Sequence, residues 1–278
     1  ICGYSQPWNG PQIKRQARSK LLNSKLSASI VAESLKRSSL KNKIVYVESL
    51  PSTNTYAWNL IDKGKESGII LTSNQYDGKG QRNNNWLSSM QGGITFSLFF
   101  NRKLPSNQLG VLPILAGLSI QEAMLNHAIT VSLKWPNDIL LKNKKIGGIL
   151  CESNTRGKVS KYIIFGIGMN VNDDRKSLNE NSLPHASSLK IVYKKEYERE
   201  KIIASIIDQL EVNLNSFPMN SKDIIKKWEL TCSHMNKEVA FKNNSLSVSG
   251  IFKGLNSDGS AKILVNKQLK KLTSIQIT

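Results

Sequence analysis

Cysteine is scarce in this 278-residue chain: Cys2, Cys151 and Cys232 are odd in number and far apart, so they offer neither a disulfide framework nor a thiolate metal cage. Histidine is as rare, and His127, His185 and His234 stand in no H-x-x-x-H-like spacing, which argues against a metal held by protein ligands. Acidic residues are few, 20 against 39 Lys and Arg, for a net charge of +19. The lysines are scattered and no helix-turn-helix pattern accompanies them, so the charge reads as a compositional bias spread over the surface rather than a nucleic-acid footprint. No apolar run approaches the roughly 20 residues of a membrane-spanning helix, and no apolar signal-peptide core is present. A soluble protein in a reducing, cytoplasmic setting is expected, an organelle-targeting N-terminus being the alternative.

What is present suits a packed protein. Hydrophobic residues make up 39% of the chain, enough for one large domain and a small one. Residues 1–43 carry nine Lys and Arg from Lys14 onward against one acid, Glu33, with many serines, and read as a basic, poorly ordered extension. Residues 44–232 alternate strand patterns (44–47, 69–73, 94–100, 131–135, 139–141, 146–152, 162–171) with helical ones (53–63, 198–213, 221–230). A long apolar helix over 109–126 is interrupted near its start by Pro113. The class is α+β, helices packed against a mainly antiparallel sheet. Residues 233–278 hold short strands (238–241, 246–252, 261–264, 269–277) with turn signals at Asn243-Asn244 and Asp258-Gly259, the pattern of a small β-barrel.

Four segments carry chemistry. Glu48–Asn54 (E-S-L-P-S-T-N) places hydroxyls and an amide at a strand-to-helix corner, where they can hold a polar ring or simply cap the helix. Asn74–Trp86 (N-Q-Y-D-G-K-G-Q-R-N-N-N-W) has no apolar face. Its glycines, Lys79 and Arg82 suit a phosphate, and Trp86 can stack on a base or close a pocket; a solvated surface loop is the alternative, and the Walker pattern is absent. Leu133–Asp138 (L-K-W-P-N-D) puts Lys134 at a strand end, on the face opposite Leu133 and Trp135, as a fixed positive charge. The following Lys145–Glu152 (K-I-G-G-I-L-C-E) has glycines that let a ligand approach the backbone. Phe165–Asn172 (F-G-I-G-M-N-V-N) again puts glycines inside a strand, with Asn170 placed to read ribose or base.

Taken in order, these segments resemble the biotin–protein ligase family, whose marks are S-T-N, a G-R-G-R-R-G-x-x-W loop, K-W-P-N-D, K-x-[GA]-G-I-L-x-E and G-x-G-x-N-V-N. The resemblance covers roughly residues 44–278 and implies a class II synthetase-like catalytic domain over 44–232 with an SH3-like domain over 233–278. It implies biotin and ATP with Mg²⁺ as substrates, the metal held mostly by water and phosphate. It assigns biotin contacts to Ser52, Thr53, Asn54, Gln75, Lys134 and Gly148, and a loop ordering over the adenylate to Gly78, Lys79, Gly80, Gln81 and Arg82. It assigns catalysis to Lys134 and Arg82, nucleotide contacts to Lys79, Arg82, Trp86, Asn137 and Asn170, and a place near Mg²⁺ to Asp138. The partner implied is a biotin carboxyl carrier domain of acetyl-CoA carboxylase or a related carboxylase, the ligase being monomer or homodimer, without membrane or DNA binding. The loop departs from the family where Lys79 and Gln81 replace arginines and Asn83 a glycine; lysine keeps the charge but loses the bidentate fork. A lipoate or octanoate ligase of the same fold is the near rival. A basic nucleic-acid-binding protein with a degenerate ligase domain is the distant one.

Overall fold

Alternation of side chains across seven strands separates two layers of packing. In a computed structural model describing residues 25–87, 92–243, 246–273 and 277, β1 (Ile44–Leu50) runs parallel to β2 (Ser67–Gln75). Then β3 (Ile94–Pro105), β7 (Val159–Met169), β6 (Lys144–Arg156), β5 (Asp138–Leu141) and β4 (Ser132–Lys134) continue antiparallel, in that order. Neighbouring residues on a strand face opposite ways. Ile69 and Leu71, Phe96 and Leu98, Ile163 and Phe165 join one large core with α3 (Leu112–Leu125), α6 (Arg199–Ser216) and α7 (Ser221–Leu230). Next to them in sequence, Ile70, Phe99 and Ile164 turn to the other face and pack on Ala57 and Ile61 of α2 (Thr53–Asp62). Two short helices, α4 (Arg175–Glu180) and α5 (Leu189–Tyr193), follow β7.

Three expectations are corrected. The segment 25–43 is not a loose extension: it forms α1 (Ala28–Ser34), capped by the Ser27 hydroxyl, and buries Leu26, Val31, Leu35 and Leu40 in the large core. Asp208 of α6 accepts the backbone N–H groups of Lys36, Arg37 and Ser38 at 2.9–3.0 Å, and Glu211 accepts the N–H and hydroxyl of Ser39. Residues 1–24 lie outside the described residues. Pro113 does not interrupt α3 but sits in its first turn, where its missing N–H costs no helical bond, and a 3₁₀ turn (Ser106–Val111) precedes it. The helical stretch Ser106–Leu125 is long and apolar enough, by length and composition, to cross a membrane, contrary to the expectation. Its burial between β6, α6 and α7 accounts for that composition, since a helix covered on all sides is apolar all round.

Beyond α7, β8 (Glu238–Asn243), β9 (Leu246–Leu255), β10 (Ala261–Val265) and β11 (Gln268–Leu272) form a four-stranded antiparallel sheet in the order β11-β10-β9-β8. The expected long last strand stops at Leu272, and a bridge from Phe241 to Ile277 returns the chain to the sheet; residues 244 and 274–276 lie outside the described residues. This sheet is docked on the large one. Val239, Phe241, Phe252 and Ile263 share the large core, the Trp135 indole N–H donates to Gly259 O at 3.0 Å, and Leu133 bridges Cys232 beside β4.

Candidate functional site

The α2 face of the sheet changes character along its strands. On β3 the side chains run Phe99, Ser97, Thr95; on β7, Ile164, Gly166, Gly168; on β6, Glu152, Leu150, Gly148. On β3 and β7 large apolar residues give way to small or polar ones, and Thr95, Gly166 and Gly168, with Leu150 and Gly148 of β6, floor a pocket beyond the N-terminus of α2. Register makes the floor continuous, because directly opposed residues share a face: Lys134, Asp138, Gly148, Gly168 and Thr95 stand opposite one another across five strands. Lys134 is thus held on the pocket side, while Leu133 and Trp135 are buried in the core behind it.

The α2 corner forms one wall. Ser52 caps the helix, its hydroxyl 3.5 Å from Thr55 N, so the capping role is present along with the pocket position. Gln75 Oε1 accepts the Thr53 N–H at 2.9 Å. The Asn54 amide donates to Glu152 Oε2 at 2.9 Å and to Leu150 O at 3.3 Å, and Ser97 Oγ lies 2.6 Å from both Asn54 Oδ1 and Thr53 Oγ1. Thr53, Asn54 and Ser97 are buried, so these bonds are protected from water.

The loop after β2 forms the opposite wall. It folds back on itself: Lys79 bridges Asn85, Gly80 N–H donates to Asn84 O at 2.7 Å, and Trp86 N–H donates to Gly78 O at 2.8 Å. Lys79, Gly80, Gln81 and Arg82 line the pocket, Arg82 in the left-handed region at φ 57°. Trp86 lies on the glycine floor, where a side chain at Gly168 would run into the indole and one at Gly148 would stand 3.1 Å from it. Its N–H is buried with no hydrogen-bond partner, and Lys145 Nζ stands 5.7 Å from the ring centroid. The Trp86 indole packs on the glycine floor and lines the pocket; of the two readings from sequence, a base-stacking or a pocket-closing residue, this placement agrees with the second and does not test the first.

Of the residues expected at the site, all line this pocket except Gly78 and Asn170. Gly78 is needed one step back: a side chain there would collide with the Trp86 carbonyl, so it lets the loop close. Asn170 is 5% exposed and structural, its amide donating to Ser187 O at 3.1 Å to hold the chain before α5. Asn137 lines the pocket while bracing the hairpin, its amide donating to Ile149 O at 2.8 Å. Asp138, which the resemblance puts near Mg²⁺, lines the pocket and is paired with Lys145 at 2.6 Å. Among the described residues no group of three or more His, Cys, Asp or Glu could hold a metal ion.

Sequence reasoning missed Lys145, Thr95, Ser97 and Glu152. Lys145 opens the K-I-G-G-I-L-C-E hairpin and had a signal; Thr95 and Ser97 sit in an apolar strand with none. Lys134, Lys145, Lys79 and Arg82 line the same pocket as the neutral donors and acceptors of the α2 corner. Such a cleft takes a molecule that carries both an anionic group and a polar but uncharged one.

Residues 46–170 match the biotin/lipoate A/B protein ligase family model. These residues form a biotin/lipoate protein ligase domain. The chain is 26% identical over 256 residues to the bifunctional ligase/repressor BirA of Bacillus subtilis, covering 91% of this chain and 79% of that protein. It is 30% identical over 123 residues to the biotin–[acetyl-CoA-carboxylase] ligase of Paracoccus denitrificans, covering 43% of this chain and 51% of the other. The solved biotin protein ligase of Aquifex aeolicus in complex with biotin and ATP superposes with a TM-score of 0.72 at 28% identity, over 85% of this chain and 98% of that one. The mixed sheet and docked C-terminal sheet of this ligase are thus the architecture of that family.

Proposed function

We propose that this ligase activates biotin with ATP as biotinyl-AMP and transfers the biotinyl group to a lysine of a carboxyl carrier domain. The observation that carries this reading is one pocket lined both by a buried polar wall and by cations, Lys134 among them fixed on a strand. Biotin suits both, with a neutral cyclic urea at one end and a carboxylate at the other.

In the first step a carboxylate oxygen attacks the α-phosphorus of ATP; a P–O bond forms and pyrophosphate leaves. Two anions must meet, and a cation fixed on a rigid strand lowers the cost of that meeting and of the charge that builds on the phosphorus. Lys134 is so fixed, and Lys145, braced by Asp138, adds a second charge across the hairpin. In the second step the carrier lysine amine attacks the acyl carbon and AMP leaves. Mg²⁺ enters with the nucleotide, on its phosphates, as part of the substrate. The carrier is the biotin carboxyl carrier domain of acetyl-CoA carboxylase or of a related carboxylase. A dithiolane ring has no N–H or C=O to satisfy the wall at Thr53, Asn54 and Gln75, which favours biotin over lipoate.

Incubation with biotin, Mg·ATP and an apo-carrier domain, read by intact mass, tests the reading. A biotinylated carrier, absent when lipoate replaces biotin, is expected; lipoylation without biotinylation overturns it.

A further inference from the structure

The geometry points to Glu152 and Ser97 as positioning residues that set the direction of the Asn54 and Thr53 protons in the pocket wall, leaving Asn54 Oδ1 and Thr53 Oγ1 as acceptors for the N–H groups of a cyclic urea. This rests on the reading of biotin as substrate and goes beyond it, since neither residue needs to touch the ligand. The chain of bonds starts at Glu152. Its carboxylate accepts from the Asn54 amide at 2.9 Å, and Leu150 O accepts from the same nitrogen at 3.3 Å. Both amide hydrogens are committed, and the flipped amide would set its oxygen against a carboxylate and a carbonyl. Asn54 Oδ1 therefore faces Ser97, over Gly166, where any side chain would collide with it.

Ser97 carries one hydroxyl proton and has two oxygens at 2.6 Å. Asn54 Oδ1 has no proton to offer, so the Ser97 proton goes there. The second contact, equally short, then needs the Thr53 hydroxyl as donor. Gln75 Oε1, which also accepts the Thr53 N–H at 2.9 Å, is the other acceptor within reach of the Thr53 hydroxyl, but at 3.3 Å it is the more distant, and a proton given to either stays inside the wall. The protons of Ser97, Thr53 and Asn54 are used inside the wall, and what Thr53 Oγ1 and Asn54 Oδ1 still offer is lone pairs. A wall of acceptors pairs with N–H donors and repels an oxygen placed in their stead.

The test compares biotin with its cyclic carbamate analogue, in which one ring N–H is replaced by O. The readout is kcat/KM for pyrophosphate release by the full chain and by its Ser97→Ala, Ser97→Thr and Glu152→Leu variants. The unsubstituted protein is expected to reject the carbamate by about 100-fold. In Ser97→Ala the Thr53 hydroxyl regains its freedom to donate, and that ratio is expected to fall about tenfold, with the KM for ATP unchanged. Ser97→Thr, which restores a hydroxyl, is expected to restore the ratio. If Ser97→Ala does not fold, Glu152→Leu, altered at the pocket's edge, is expected to lower the ratio likewise. An unchanged ratio in the folded variants, or biotin and ATP KM values rising together, overturns the inference while leaving the ligase reading intact. No pyrophosphate release with biotin by the unsubstituted protein overturns both.

Discussion

The wall at Ser52–Asn54 and the loop at Gly78–Trp86 face each other across one pocket and are built by opposite means. In the wall, Ser52, Thr53 and Asn54 are buried, and the bonds to Gln75, Ser97 and Glu152 tie them to three strands. The loop bonds mainly to itself, keeps Lys79 and Arg82 at the pocket edge, and holds Arg82 in a left-handed conformation that disfavours L side chains. A neutral ring must be recognised by fixed hydrogen bonds, since a misplaced one is lost outright. Phosphates are held by charge, which tolerates adjustment. The rigid half therefore suits selection and the adjustable half suits closure.

Lys134 belongs to neither half and bears on both, so its loss is the largest expected effect. Lys134→Ala is expected to lower the rate of biotinyl-AMP formation by about 10³-fold or more, with thermal unfolding within about 1 kcal/mol of the parent, because the side chain stands on the pocket face and not in the core. Near-parental pyrophosphate release would remove Lys134 from the chemistry. Next is Asn54→Ala, which strips partners from Glu152 and Ser97 at once. A stability loss of about 1–3 kcal/mol and a biotin KM raised about 100-fold are expected, with the ATP KM nearly constant. Calorimetry and steady-state kinetics check both. The contrast between the halves fails if ATP binding suffers as much as biotin binding.

How legible these halves were differs for a physical reason. Lys134 could be placed from alternation alone, because Leu133 and Trp135 had to be buried and the lysine had to face the other way. The loop could be recognised as functional because nothing in it could pack. The floor was half legible: glycines inside the 165–172 strand marked a close approach, but Thr95 lies in an apolar strand far from them in sequence, and only register sets it opposite Gly168. Asn170 was misread for the same reason, since its partner Ser187 lies in a segment with no periodic signal. Residues 25–43 were misread because Lys, Arg and Ser obscure the four apolar side chains that enter the core. The small sheet was visible strand by strand, but its docking through Trp135 and Gly259 was not.

The loop half can be tested at its floor and at its strain. Gly168→Ala is expected to push Trp86 off the sheet, red-shifting and weakening its contribution to tryptophan emission, and to lower kcat/KM about tenfold by misplacing the loop. Its effect on stability is expected to be smaller than that of Asn54→Ala, and the reverse order would show the loop to be as structural as the wall. Arg82→Gly relieves the left-handed residue and is expected to raise stability by about 0.5–1 kcal/mol while weakening ATP binding. Loss of stability would mean that contacts made by Arg82 outweigh its backbone strain.

The smallest effect concerns pH and separates the roots of the two halves. Asp173 follows β7 where the loop rejoins the sheet: Asn172 N–H donates to Gly92 O at 2.8 Å and Arg199 donates to Gly93 O at 3.1 Å. Burial pushes the Asp173 carboxyl up to about 6, although the Val171 N–H and the Arg199 charge pull it down. His234 lies behind β4, its ring centroid 4.3 Å from that of Phe252, and burial, with Lys134 and Lys237, pushes it down to about 4. The signs are opposite. From about pH 4 to 6 folded Asp173 holds a proton that the unfolded chain has released, so its contribution to stability falls as pH rises. Over about pH 4 to 6.5 unfolded His234 holds a proton that the folded ring has released, so its contribution rises. The two nearly cancel in the parent. His234→Asn removes the rising part, and its unfolding temperature, measured from pH 4 to 6, is expected to fall with pH relative to the parent. Asp258, which burial pushes up but the hydrogen bonds from Lys271 and Ser260 and the Lys271 charge together hold down at about 2, titrates below this window. Parallel curves for parent and variant would show that His234 is not held neutral, and that the strand carrying Lys134 is backed by a wetter junction than the packing of Trp228, His234 and Phe252 implies.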